Sequence, residues 1–177
     1  MTIDIELQIL IGLHVLFAGV FVGSNVFLDF LLTPRLELIP PGQAARLADR
    51  LGLDFAWLNW VALGGLPLSG LLMLWRLSTI DQLVTAKFYC SGFGVALLIM
   101  MFIWLTLAIN AAILTFYLRG KVVIKLPYDA TRQQVEGART EAIYWAGWMR
   151  WFARYNVIAS IVAVVIGGSL RFGGFPF

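Results

Sequence analysis

The chain is poor in the side chains that usually carry chemistry. It has one cysteine and one histidine, and Lys, Arg, Asp and Glu together make up 13% of its 177 residues, where an ordinary soluble domain has about 25%. A lone Cys90 excludes an intramolecular disulfide and a CxxC metal site. A lone His14 excludes a His-rich zinc site within one chain. No nucleotide-binding loop, hydrolase triad or paired-carboxylate arrangement is found, and a net charge of +3 is too small to suggest a nucleic-acid partner. The segment Met1–Glu6 is acidic and lacks the basic region of a signal peptide. There is no internal repeat and no low-complexity segment, so residues 1–177 read as one domain.

What the chain does have is apolar sequence: 60% hydrophobic residues and a mean hydropathy of +0.85. Four runs are long enough to cross a bilayer. They cover about 7–32, 55–75, 87–118 and 151–170. Segments this apolar must satisfy their backbone polar groups internally, so helices are the expected form. The fold class is therefore all-α: a polytopic membrane protein with a four-transmembrane-helix bundle, the first run being retained as its first helix. Only Arg76, Lys87 and Arg171 flank the spans on one side; the other ten of the 13 lysines and arginines flank them on the other. The positive-inside rule makes the ten cytoplasmic and places both termini on the non-cytoplasmic side. The expected location is a bacterial inner (plasma) membrane, with the lipid bilayer as the first partner and other membrane subunits or further copies of the chain as candidates.

Local signals set expectations for the connections. Thr33-Pro34-Arg35 should end the first span, because proline cannot continue the helical ladder. Pro67 should kink the second. Ala44, Leu47 and Leu51 repeat at helical spacing, so Gln43–Asp54 should run directly into span two. Asp129 or Thr131 can cap a helix leading into span four. Trp145, Trp148 and Trp151 suit an interfacial aromatic belt. Gly19-xxx-Gly23, Gly64-Gly65, Gly70 and Gly167-Gly168 permit close backbone approach.

Ionisable groups in lipid are costly, so each is a functional candidate. At 100° per residue His14, Ala18, Phe21, Asn25 and Leu28/Asp29 share one face, which should point into protein. His14 lies about 10 Å inside the outer end of span one. Lys87 and Cys90, at the start of span three, and Met73, near the end of span two, reach a similar level. Three readings of His14 stand side by side: an interhelical hydrogen bond, ligation of a metal or tetrapyrrole, and a proton relay. Asn25, Asp29, Asn59, Asn110 and Asn156 form a second polar layer in the cytoplasmic half, suited to interhelical hydrogen bonding or to an ion path. Asp29 can pair there with Arg35 or Arg154.

The motifs Leu13-His14-Val15, Phe21-Val22-Gly23, Thr33-Pro34-Arg35-Leu36 and Ala86-Lys87-Phe88 occur in an order that resembles a four-helix membrane group. That group includes the CopD-like copper-resistance family and the HemJ-type protoporphyrinogen oxidases. The resemblance covers most of the chain, through short motifs. It implies haem binding, with the first-helix histidine and the third-helix lysine mapping to His14 and Lys87. Relatives usually carry further histidines, which this chain lacks.

The leading expectation is a membrane oxidoreductase or electron-transfer protein, holding haem or a related tetrapyrrole on His14. Lys87 would meet a propionate, and Phe17, Phe21, Phe88 and Trp104 would wall the ring. A non-enzymatic accessory subunit of a larger membrane complex is the first alternative. A copper or ion carrier using His14, Cys90 and Met73 is the second.

Overall fold

The computed structural model describes residues 4–36, 38–122 and 131–175. Four helices long and apolar enough to cross a membrane account for most of them: α1 (Ile5–Leu36), α2 (Pro41–Arg76), α3 (Gly92–Val122) and α4 (Arg132–Leu170). Two 3₁₀ turns, Ile80–Val84 and Ala86–Cys90, join α2 to α3. The broadest contacts are α1 on α2 and α3 on α4; α1–α4 and α2–α3 close the ring. All four helices meet in one core, where Phe21, Ala62, Leu63, Leu107, Ala111 and Ala159 are buried together.

Successive helices run antiparallel, and named pairs set the register. On α1 and α2 these are Asp4–Arg76, His14–Ser69, Ser24–Asn59 and the stacked rings of Phe27 and Phe55, 5.7 Å apart. On α3 and α4 they are Thr106–Tyr155, Asn110–Asn156 and Tyr117–Trp145. At the Asp4 end, Arg76 lies 3.2 Å from Asp4 and 3.1 Å from Glu6. The acids sit at the positive start of α1 and the guanidinium at the negative end of α2, as the helix dipoles favour. At the opposite end Arg119 of α3 binds Asp49 of α2 at 2.6 Å.

Several local expectations hold. The stretch Gln43–Asp54 is continuous with the second span as part of α2. Thr131 caps α4 in a capping box with Gln134, satisfying two amides that would otherwise lack partners. Asp129, the alternative cap, lies outside the described residues.

Two expectations need correction. Pro34 does not end α1, which continues to Leu36. The turn before it, Phe27–Leu32, is π-helical. Its wider i→i+5 spacing relieves the clash a proline ring makes with the carbonyl four residues back, and Thr33 returns both its N–H and its hydroxyl to the Leu28 carbonyl. The third helix does not open at Lys87. Ser91 is its N-cap, accepting from the Gly94 N–H at 3.1 Å, and Lys87 lies on the preceding 3₁₀ turn.

Pro67 lies inside α2 without ending it. Proline has no N–H, so the carbonyl of Leu63 loses its helical donor. The indole of Trp104 on α3 supplies one at 2.9 Å. In hydrocarbon an unsatisfied carbonyl has no water to turn to, so this bond both repairs α2 and ties it to α3. At the end of α2, Ser78 adopts a left-handed φ of 53°. Its N–H bonds the Trp75 carbonyl and the Thr79 N–H the Leu74 carbonyl, which is a Schellman cap with serine at the position where glycine is favoured.

Trp104→Phe should lower stability by about 1–3 kcal/mol, and by far less in a Pro67→Ala background, where residue 67 regains an N–H for Leu63. Denaturation of the four variants in mixed micelles measures the coupling, and additive losses would refute the pairing. Ser78→Gly should raise stability in the same assay by up to about 1 kcal/mol.

Candidate functional site

His14 lies on the inward side of α1, against α2. Its Nδ1 is 2.9 Å from the Ser69 hydroxyl. That hydroxyl is 2.6 Å from the Gly65 carbonyl and 3.1 Å from the Leu66 carbonyl. A serine has one proton to give, and the direction of its bond to the ring follows the imidazole tautomer. With the Ser69 proton on the Gly65 carbonyl, Ser69 Oγ accepts from Nδ1–H and Nε2 keeps the lone pair. The ring lies over Gly70, where an added Cβ would come 3.5 Å from His14 Cε1. One turn along α1, Phe17 packs against Gly65. A Cβ there would sit 2.5 Å from the Phe17 ring, so this position needs glycine.

The inward face expected for α1 is the face the bundle uses. Phe21 and Asn25 are buried, His14 is half-buried, and the Asp29 side chain is 8% exposed. Phe21 is part of the central core and Phe17 is packed against it. Trp104 is engaged by Leu63. Phe88 belongs to a separate cluster with Leu74 and Leu97.

Lys87 and Cys90 are both exposed on the turn before α3, and Met73 is half-buried on α2. Among the described residues no hydrogen bond or ion pair links Lys87 to His14, and no three His, Cys, Asp or Glu side chains gather where they could hold a metal ion.

The second polar layer divides into separate pairs. Ser24 donates to Asn59 between α1 and α2, and Asn110 donates to Asn156 and to the Phe152 carbonyl between α3 and α4. Asn25 turns back to the Phe21 carbonyl of its own helix. Asp29 faces Arg154 at 3.9 Å, while Arg35 bonds the Leu31 carbonyl. The buried Trp60 Nε1 has no acceptor among the described residues; it lies in the same half of the bundle as this layer and not at the level of His14.

Gly19 and Gly23, with Gly12, are not used for packing inside the bundle: a Cβ at any of them would meet nothing within 4 Å. Only 6% of the most apolar stretch of α1 is buried. Ser69 and Trp104 are the partners that sequence reasoning missed. The available signals were Ser69's depth, which matches His14 once α1 and α2 are antiparallel, and the carbonyl that Pro67 must orphan.

Removing the ring or the hydroxyl tests the central bond. A double-mutant cycle on His14→Phe and Ser69→Ala should give a coupling of about 0.5–1.5 kcal/mol, read from micelle denaturation. Additivity within error would show that the bond holds nothing together.

Comparison of the chain with protein-family models, with curated proteins and with solved structures finds no match.

Proposed function

We propose that this chain is an integral membrane protein that holds haem or a related tetrapyrrole through Nε2 of His14, in an oxidoreductase or electron-transfer role. The observation that carries the reading is the chain of bonds from His14 Nδ1 to Ser69 and from Ser69 to Gly65. Imidazole ligands almost always give their second N–H to a fixed acceptor, which sets the tautomer, the ring orientation and the basicity of the coordinating nitrogen. A tetrapyrrole iron so ligated supplies one-electron chemistry. On the protein side, His14 would hold the group through its imidazole, Ser69 would orient that ring, and the ammonium of Lys87, exposed at the Asp4 end of the bundle, would be available to a carboxylate. With one histidine in the chain, a second imidazole from the same protomer is not available to the group. A copper site would need several soft donors, and the tetrapyrrole reading needs only one imidazole. In this reading the Arg-rich end of the bundle is cytoplasmic, in a bacterial inner membrane.

A second reading, a non-enzymatic accessory subunit, is favoured by the outward glycines of α1. Gly12, Gly19 and Gly23 leave a smooth ridge that packs against nothing in the protomer, and small residues are what membrane helices use to approach a neighbour.

The absorption spectrum decides between them. Full-length protein purified from membranes of a haem-replete host should show a Soret band that His14→Ala abolishes, with helical content unchanged by circular dichroism. Ser69→Ala should keep the band but shift it or its reduction potential. A colourless wild-type protein that co-purifies stoichiometrically with another membrane protein would replace the first reading with the second, and a Soret band surviving in His14→Ala would remove His14 from the site.

A further inference from the structure

The outward face of α4 carries charge that the bundle leaves unsatisfied. Arg150 and Arg154 are four residues apart on one helix, which stacks them with about 5–6 Å between their Cβ atoms. Trp151 lies beside them, 71% exposed. Among the described residues Arg150 has no ion pair. Arg154 has one carboxylate within reach, Asp29 of α1, at 3.9 Å from its Nε, which is too long for a hydrogen bond. The side chain of Asp29 is 8% exposed and that of Arg154 is 61% exposed. The carboxylate therefore sits behind the guanidinium and leaves its donors open to the outside.

Beyond Arg154 the same stripe of the helix turns apolar. Ile158 is 65% exposed, Val162 43% and Val165 69%. Arg150, Trp151 and Arg154 are followed along this face by aliphatic side chains. A cationic and aromatic end continuing into an aliphatic stripe matches the headgroup and acyl chain of a phospholipid lying along a helix in the bilayer.

We infer that this face of α4 is a binding site for an anionic phospholipid. Arg150 and Arg154 take the phosphate, Trp151 lies between them at the headgroup level, and one acyl chain runs along Ile158, Val162 and Val165. Two arginines against one buried carboxylate leave the patch with a positive charge, which favours an anionic headgroup over a zwitterionic one. Asp29 is a positioning residue: it holds Arg154 against the α1–α4 seam without competing at its outer donors. The inference rests on the bilayer setting of the four helices and is independent of what His14 binds.

Native mass spectrometry of the full chain in dodecyl maltoside, titrated with phosphatidylglycerol or phosphatidylcholine, tests it. The wild-type protein should bind one phosphatidylglycerol in preference to phosphatidylcholine. The double variant Arg150→Gln/Arg154→Gln should weaken that binding roughly 10–30-fold, with helical content unchanged. Arg139→Gln, an exposed arginine farther up the same helix, should leave it unaltered. Equal binding of the two lipids, retention by the double variant, or an equal loss in Arg139→Gln would overturn the site.

Discussion

A backbone carbonyl in hydrocarbon must find its donor inside the protein, and this constraint shapes the bundle more than any apolar contact does. Pro67 removes a donor from the middle of α2, and the carbonyl it strands is answered by an indole from another helix. Pro34 sits near the end of α1, where the helix widens into a π turn that makes room for the ring, and Thr33 gives both its N–H and its hydroxyl to the Leu28 carbonyl. One proline is accommodated by a neighbour and the other by local rewinding. The difference follows from position. The carbonyl of Leu63 faces the core, where α3 is within reach, whereas Pro34 lies where α1 leaves the bundle.

The pairing of α1 with α2 shows how few polar groups suffice to set a register between apolar helices. Lipid is as apolar as leucine, so sliding one helix along another changes little burial. Ser24–Asn59, His14–Ser69 and the Asp4–Arg76 ion pair mark one alignment along the whole contact, and Phe17 locks into the gap left by Gly65. The bond that anchors the imidazole is therefore also a bond that aligns the helices. A structural histidine and a ligand held ready look alike at this level. They differ in what is done with Nε2.

The interior of the bundle is narrow, and most of its large apolar side chains face outward. In water this would be an aggregating surface; in a bilayer it is the solvated one. The outward surface is uneven, however. The face of α1 bearing Gly12, Gly19 and Gly23 is smooth, while α4 presents arginines and a tryptophan above aliphatic side chains. The first invites another helix and the second a charged headgroup, so the protein's surroundings are written on different helices.

Much of this was legible along the chain. The four spans, the inward face of α1, the run of Gln43–Asp54 into α2, the Thr131 cap and the pairing of Asp29 with Arg154 depend on periodicity, capping chemistry and depth, all of which are local or nearly so. What misled were residues whose role is set by a partner on another helix. The contacts of Phe17 with Gly65 and of Phe21 with the core were not legible, because an aromatic beside a histidine looks the same whether it faces a cofactor or a glycine. Lys87 read as the start of a helix because hydropathy cannot distinguish a 3₁₀ turn from the first turn of a span. By itself the sequence determined that the chain forms four helices long and apolar enough to cross a membrane and which side of α1 turns inward, since both follow from the cost of placing polar groups in hydrocarbon. Only the tertiary structure decided what those polar groups touch, because hydrogen bonds and close approaches between helices depend on register and rotation, which no single helix encodes.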